Sequence, residues 1–209
     1  MKLKTLFTLA TIFVIVANHL VSQDVLVKEI LDGKIKKYCT EGNDKAQGLK
    51  LCIKYPASWI ERDGNRPHVL VKLRGNTGQP EMVVIVINQL EEDEVRQINI
   101  SQLSYNDFVS MANEAGGTYL TSNNSLKIDG IPAASYDMHL ISQQMDVQQE
   151  SYSRNYIFIY DNYFVIIHCS VLNDANNSFK ISDLNKYFES KKKLFDLIVN
   201  SVTIINQWE

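Results

Sequence analysis

The chain has 209 residues, with 21 lysines and arginines against 24 aspartates and glutamates, and a formal net charge of −3 at pH 7. Nucleic-acid-binding proteins usually carry a basic patch or stripe, so this mildly acidic balance argues against a nucleic-acid partner. The length fits one domain with a sizeable core, and no internal repeat, low-complexity tract or long linker suggests a second.

The first 22 residues have the three-part layout of a secretory signal. A basic start at residues 1–4 precedes an apolar run at residues 6–17 and a polar exit. The run is too short for a membrane anchor, which needs about 20 consecutive apolar residues. We therefore expect export from a bacterial cytoplasm, cleavage before Gln23, and a single domain over residues 23–209 in the periplasm or outside the cell. This domain would have no stable membrane insertion. The alternative is an uncleaved hydrophobic helix packed on the domain.

Three cysteines remain after the signal, and an exported chain meets oxidising conditions in which disulfides persist. Cys39 and Cys52 enclose a short polar loop that a disulfide could staple, although sequence spacing alone leaves their separation open. Cys169 lies in the most apolar stretch of the chain. There a small buried hydrophobe is the simpler interpretation, because a reactive thiolate needs an accessible, electropositive setting.

The mature chain opens with a helix predicted at residues 25–31 and a strand predicted at residues 49–55. The strand prediction rests on clean alternation between apolar and polar side chains, the period of a half-covered strand. Pro56 ends the pattern because proline has no backbone donor.

Two further strands are predicted at residues 68–73 and 82–87, joined by a turn with Gly75, Gly78 and Pro80. The second strand is an unbroken apolar run, which is typical of a strand covered on both faces. We therefore expect it near the middle of a sheet.

The acidic run at residues 91–94 could attract a divalent cation, because hard ions prefer carboxylate oxygens. Consecutive acids do not by themselves form a cage, so we interpret the run as a solvated loop. A helix then begins after Ser104, which can cap it, with Asp107 favourably placed in its first turn. Leu103 can pack on Phe108 across this helix start, and two glycines after residue 115 end the helix.

The next section predicts an antiparallel meander. Asp129-Gly130 and Asp161-Asn162 are placed as tight turns between apolar flanks, a strong hairpin signal. The predicted strands cover residues 118–120, 125–128, 133–141, 152–160 and 163–171, with a polar loop at residues 142–150. The last of these strands is apolar on both faces and should be interior.

An amphipathic helix at residues 183–199 and a short strand at residues 201–205 close the chain. Strands without parallel crossovers, together with amphipathic helices, predict an α+β domain with a central antiparallel sheet flanked by helices. Two basic clusters, at Lys34, Lys36 and Lys37 and at Lys191, Lys192 and Lys193, adjoin helix-like sequence. We expect their lysines to face solvent.

Four local motifs resemble the PsbP-like superfamily, which includes photosystem PsbP, the Ran-binding Mog proteins and DcrB-type bacterial envelope proteins. They are Tyr-Pro-Ala-Ser-Trp at residues 55–59, Ile-Asp-Gly-Ile-Pro-Ala at 128–133, Tyr-Asp-Asn-Tyr at 160–163, and the closing helix ending Leu-Ile-Val-Asn-Ser-Val at 197–202. The match spans roughly residues 50–205. It implies an α/β/α sandwich and a non-catalytic binding or assembly role, and it carries over no functional residue.

The polar residues give no recognisable catalytic, metal or cofactor motif. His68, His139 and His168 are too scattered for a spaced metal site, and neither a Gly-x-Ser-x-Gly elbow nor a glycine-rich phosphate loop occurs. His168 and Cys169 are adjacent, but neighbours on a strand point to opposite faces. We therefore expect no catalytic residue, no metal and no cofactor.

The aromatic hairpin offers the best candidate surface for a ligand or partner, with Tyr152, Tyr156, Asp137 and His139 as its residues. We predict an exported non-catalytic binding or assembly module of the bacterial envelope whose partner is another protein, with the loop at residues 142–150 as a contact. One alternative is an immunity or accessory protein that binds a cognate secreted toxin. Another is an enzyme built from His139, Asp137 and nearby tyrosines, which would need these groups to converge in a concave pocket. The oligomeric state stays open.

Overall fold

The computed structural model describes residues 24–75, 80–144, 147–174 and 181–208. The predicted signal peptide at residues 1–22 and the cleavage point before Gln23 lie outside the described residues. Part of the turn expected between residues 75 and 80, with Gly78, lies outside them too.

The described chain runs from one helix through five strands, two helices, four strands and a last helix to a final short strand. The helices are α1 (Val25–Leu31), α2 (Glu92–Gln97), α3 (Tyr105–Glu114) and α4 (Leu184–Val199). The strands are β1 (Ile35–Cys39), β2 (Leu51–Pro56), β3 (Ile60–Asp63), β4 (Val69–Arg74), β5 (Glu81–Gln89), β6 (Thr118–Ile128), β7 (Ile131–Gln144), β8 (Val147–Tyr160), β9 (Tyr163–Asp174) and β10 (Thr203–Ile204). Among the described residues, no helix is long and apolar enough to cross a bilayer.

Seven strands form the main sheet, in the order β3-β4-β5-β9-β8-β7-β6, and every neighbouring pair is antiparallel. The two most apolar strands, β5 and β9, lie side by side in its interior, as their composition predicts. Helices α1 and α4 cover one face through the larger core, which contains Trp59, Phe188 and Phe195. Helix α3 covers the other face through Phe108 and Ala112. The domain is therefore an α+β sandwich of the predicted α/β/α kind.

A second, three-stranded sheet has the order β1-β2-β10, so it joins the first two strands of the chain to the last one. Strand β2 is its centre, and the end of the chain returns to pair with it through Thr203 and Ile204. Cys39 and Cys52 are direct partners across β1 and β2, and a disulfide joins them at a Cα–Cα distance of 4.1 Å. The sequence left this pair open, and the antiparallel pairing supplies the close approach.

Helix α3 begins through a capping box, as its sequence predicts. The Ser104 hydroxyl accepts a hydrogen bond from the amide of Asp107, and the Asp107 carboxylate accepts one from the Ser104 amide at 2.7 Å. Just after the C-cap Ala115, Gly116 takes the left-handed conformation (φ +78°) that stops the helix, and glycine adopts it without strain.

Three sequence-based expectations are wrong in detail. The polar loop expected at residues 142–150 is mostly strand, since Ser142 pairs with Gln149 and Ile141 with Glu150. Pairing satisfies the backbone there even though the side chains are polar. The two short strands expected between residues 118 and 128 form one strand, β6, with ladder irregularities at 119–121 and 123–126. The acidic run is exposed, but it starts helix α2 through a capping box between Glu91 and Glu94.

Candidate functional site

Strands β7 and β8 bring the four predicted surface residues onto one face of the sheet. Asp137 lies opposite Arg154, His139 lies opposite Tyr152, and Tyr156 follows two positions along the same face. Because side chains alternate between faces with a period of two, this grouping follows directly from the strand pairing. The face is the one that helix α4 covers.

Asp137 is at the centre of a buried ion-pair cluster. Its side chain is 2% exposed and accepts two parallel hydrogen bonds from Arg154, from Nε at 2.7 Å and from Nη2 at 3.0 Å. Lys192 of α4 approaches the same carboxylate, with Nζ 2.9 Å from Oδ2. Burial alone would lower the pKa of Arg154, but its hydrogen bonds to Asp137 and the charge of that carboxylate raise it above the ordinary value. Two cations thus compensate one desolvated carboxylate.

Tyr156 extends this cluster to the C-terminal half of α4. Its hydroxyl donates a hydrogen bond to Asp196, and Arg154 Nη1 lies 3.4 Å from the same carboxylate oxygen. Burial is the main cause that raises the pKa of Tyr156, with Asp196 adding to it. We call the five residues Asp137, Arg154, Tyr156, Lys192 and Asp196 the Asp137 cluster. Lys192 and Asp196 are one helical turn apart, so the cluster fastens α4 to the sheet at two points.

A second cluster fastens the N-terminal half of α4. Lys191 Nζ lies 2.9 Å from both Asp24, the N-cap of α1, and the buried Glu81 of β5. Tyr187 of α4 donates a hydrogen bond to Glu81. Burial alone would lower the pKa of Lys191, but Asp24 and Glu81 raise it. Lys191 and Lys192 are therefore not the solvent-facing lysines expected from the sequence, since their side chains are 12% and 19% exposed. Their long aliphatic stems run over the core while the ammonium groups reach buried carboxylates.

His139 lies beside the Asp137 cluster and has partners of its own. Its Nε2 is 3.0 Å from Glu150 Oε1, and its ring stacks on Tyr152 with centroids 4.3 Å apart. Tyr152 in turn contacts Phe188 of α4. Of the four predicted surface residues, His139 and Tyr152 are thus partly exposed, whereas Asp137 and Tyr156 are buried. Asp137 and Tyr156 therefore do not lie on the open surface predicted for them, because α4 covers both.

A cleft of about 300 Å³ opens between the end of α4 and β6, beside the Asp137 cluster. Its polar lining includes Arg154 and Tyr156, which both bond to Asp196 in the same lining. The other polar lining residues are Asn123, Lys127, Ser135 and Asn200. Neither Asp137 nor His139 lines this α4–β6 cleft, so it does not bring together the groups that the enzyme alternative requires. Within the described ranges, no three His, Cys, Asp or Glu side chains gather to hold a metal ion.

A larger concavity of about 620 Å³ lies on the opposite face of the sheet, between α2 and α3. Its apolar lining residues are all partly exposed and come from four different segments: Leu90, Ile98, Leu103, Met111 and Phe164. Among the described residues, Asp107 and Glu114 are the charged ones that line it. This α2–α3 groove was not predicted from the sequence, because no local pattern brings those segments together.

His168 and Cys169 point to opposite faces of β9. Cys169 is fully buried in the larger core, where burial raises the pKa of its thiol well above the ordinary value. His168 is on the α3 side and its Nδ1 lies 2.7 Å from Asn155 Oδ1, so the two side chains form no thiol–imidazole pair. Burial lowers the pKa of His168 from 6.5 to about 4.

The depressed pKa of His168 predicts a loss of stability at mildly acidic pH. Above about pH 7.5, one unit over the ordinary pKa of 6.5, the ring is almost entirely neutral in both states and adds almost no pH dependence. Between pH 6.5 and about 4 only the unfolded chain takes up the proton, so the free energy of unfolding should fall by about 2 to 3 kcal/mol. Urea unfolding across this range measures the fall. His168→Asn should remove that part of the slope, and parallel profiles for the two proteins would contradict the prediction.

No family model and no curated protein matches this sequence. Among solved structures, cyanobacterial PsbP (CyanoP) from Synechocystis sp. PCC 6803 is similar, with a TM-score of 0.51, 14% identity, and coverage of 82% of this chain and 92% of that chain. LpqN, a protein described as involved in cell envelope biogenesis of Mycobacterium tuberculosis, gives a TM-score of 0.42 and 9% identity, with coverage of 84% of this chain and 94% of that chain. A protein of Bacteroides thetaiotaomicron VPI-5482 gives a TM-score of 0.37 and 13% identity, with coverage of 74% of this chain and 44% of that chain. The likeness to cyanobacterial PsbP confirms the predicted PsbP-like fold and assigns no residue a role.

Proposed function

We propose that this protein is an exported, non-catalytic binding module of the bacterial envelope that works by contact with another protein. The observation that carries the proposal is the use of the charged groups on the α4 face. Asp137, Arg154 and Lys192 are bonded to one another beneath the helix. Charged groups committed to internal pairs hold a helix on a sheet, whereas a catalytic group must keep an atom available for substrate.

Two features support an exported location. The N-terminal segment has the composition of a signal peptide, and the disulfide between Cys39 and Cys52 suits an oxidising compartment. The contact role is supported by the α2–α3 groove, whose partly exposed apolar side chains are the kind of surface that protein partners cover.

Export is tested by fractionating cells of a Gram-negative host that produce the full chain with a C-terminal tag. We expect the tagged protein outside the cytoplasm, with an N-terminus at Gln23 by mass spectrometry. A full-length chain retained in the cytoplasm would contradict the export part of the proposal.

The binding role is tested by photo-crosslinking in the bacterium that naturally produces the protein. A benzophenone side chain is placed at Gln102 in the α2–α3 groove, at Asn200 in the α4–β6 cleft, and at the exposed Lys54 as a control. We expect a discrete protein adduct from Gln102 or Asn200 and none from Lys54. The proposal fails if neither site gives an adduct while the purified protein turns over an envelope substrate and Arg154→Met abolishes that turnover.

The identity of the adduct also separates the two binding roles. The acidic surface of α2 and α3 suits an immunity or accessory protein, because neutralising a basic toxin needs charge complementarity. A toxin domain in the adduct would assign that role, and an envelope assembly component would assign the assembly role.

A further inference from the structure

The α2–α3 groove is a gap in the outer layer of the sandwich. Helix α3 has only ten residues, and its buried side chains Phe108 and Ala112 pack over β7 and β8. On the same face, Phe164 and Ile166 at the start of β9 are only partly buried, and so is Ile159 of β8. The helix is too short to cover this part of the sheet, so an apolar strip stays open beside it.

The floor of the groove is apolar. Ile98, Leu103, Met111 and Phe164 line it and pack on the smaller core beneath. A volume of about 620 Å³ is within the range of ligand-binding concavities, which run from about 300 to 1,000 Å³. Several partly exposed apolar side chains in one concavity mark a contact surface, because a partner that covers them removes apolar surface from water, which is favourable.

The rim of the groove is acidic. Asp107 and Glu114 line it on the α3 side, and no basic residue of the described chain does so. Helix α2 contributes its last residue, Gln97, to the lining, whereas its four exposed acids at residues 91–94 lie at the other end of that helix. With two carboxylates and no lysine or arginine among the described lining residues, the groove disfavours a nucleic acid or an anionic lipid and favours a cationic occupant.

We propose that the α2–α3 groove binds a basic amphipathic helix of a partner protein. This inference rests on the proposed binding function and names the class of partner. Leucine-like side chains spaced at i, i+3, i+4 and i+7 would lie on Ile98, Met111 and Phe164, as in other helix-in-groove complexes. Lysines or arginines on the flanks of that helix would face Asp107 and Glu114.

Binding is tested with a fluorescein-labelled peptide of about 14 residues, with leucines at those spacings and lysines elsewhere. The target is the protein purified as the host exports it, and fluorescence anisotropy measures the Kd. We expect saturable binding that weakens by about tenfold or more when salt is raised from about 0.05 to 0.5 M. A matched peptide with glutamate in place of lysine should bind at least about tenfold more weakly.

Two variants localise the site. Glu114→Lys reverses one rim charge, and Met111→Gln keeps the side-chain length but makes the floor polar; each should weaken the lysine peptide by about fivefold or more. Glu41→Lys, at an exposed acid outside the groove, makes the same charge change and should leave the Kd within about twofold. Circular dichroism of each variant shows whether the fold is retained.

The proposal is overturned if the lysine peptide does not bind, or if Glu114→Lys and Glu41→Lys have the same effect. It is also overturned if the occupant proves to be this chain itself. In that case a synthetic peptide of residues 1–22 would displace the lysine peptide, or the protein would form a dimer that the lysine peptide dissociates. A crosslinked partner at Asn200 with no peptide binding in the groove would remove this inference and leave the binding function in place.

Discussion

Replacing Asp137 with asparagine is expected to lower the free energy of unfolding by about 3 kcal/mol, a large loss for a single polar substitution. The change removes the carboxylate that Arg154 and Lys192 share, and breaking a buried ion pair typically costs about 3 to 5 kcal/mol. We place the value at the lower end because the two cations are 18% and 19% exposed and regain some hydration. Urea unfolding followed by the fluorescence of the buried Trp59 measures it.

Two control variants show whether burial causes the effect. Glu92→Gln breaks the pair between Glu92 and Arg96, whose side chains are 89% and 78% exposed, and should cost less than about 0.5 kcal/mol. Lys192→Met removes one of the two cations but leaves Arg154 bidentate on Asp137, so it should cost about 1 kcal/mol. Equal losses for Asp137→Asn and Glu92→Gln would show that the Asp137 cluster contributes nothing special to stability.

Local patterns predicted the parts of the fold that local forces determine. The unbroken apolar run of β5 and the apolar residues on both faces of β9 correctly placed the two strands in the interior. The Asp129-Gly130 turn formed where it was expected, with φ of +49° and +83°, because both residues tolerate the left-handed region. Ser104 and Asp107 correctly marked the start of α3, since a capping box involves only residues three positions apart.

The elements that the sequence did not reveal depend on pairing with distant segments. Strand β1 has three exposed residues in succession, and β3 is a short, mostly charged edge strand, so neither has an apolar period. Polar residues at the far end of the β7–β8 hairpin resemble a loop in composition, yet the ladder continues through them. In each case a partner strand supplies the stabilisation, and that partner is not visible in the local window.

For the candidate site, the sequence predicted which side chains share a face of the sheet but not what covers that face. Strand alternation places Asp137 and His139 on one side of β7, and the structure agrees; that Tyr156 of β8 shares this side follows from the register of the pairing. It could not show that α4 lies on that side, because Asp196 is 40 residues from Tyr156 along the chain. Lys192 and Asp196 carried a usable signal: Lys192 lies one turn after the buried Phe188, and Asp196 directly follows the buried Phe195. Charged residues so close to the apolar stripe of a helix often reach polar groups beneath it.

Loss of the disulfide between Cys39 and Cys52 is expected to lower the free energy of unfolding by about 3 kcal/mol. The two cysteines are 13 residues apart, and cross-linking a loop of about this length removes roughly that much conformational freedom from the unfolded chain. The Cys39→Ala/Cys52→Ala double variant and the reduced native protein should show the same loss in urea unfolding. Adding reductant to the double variant should change nothing, because its remaining Cys169 has no disulfide to lose.

Counting thiols distinguishes a protein without the disulfide from one whose disulfide adds little to the free energy of unfolding. Without reductant, a thiol reagent should detect no accessible thiol in the folded protein, because Cys169 is fully buried, and one thiol in urea. With prior reduction the count in urea should rise to three. Three thiols in unreduced protein would show that Cys39 and Cys52 do not pair, and the stability loss should then be absent. A count of one thiol together with an unchanged free energy of unfolding would show that β1 and β2 stay paired in the unfolded chain and already restrict the loop between the cysteines. A cross-link stabilises by removing freedom that the unfolded chain would otherwise have.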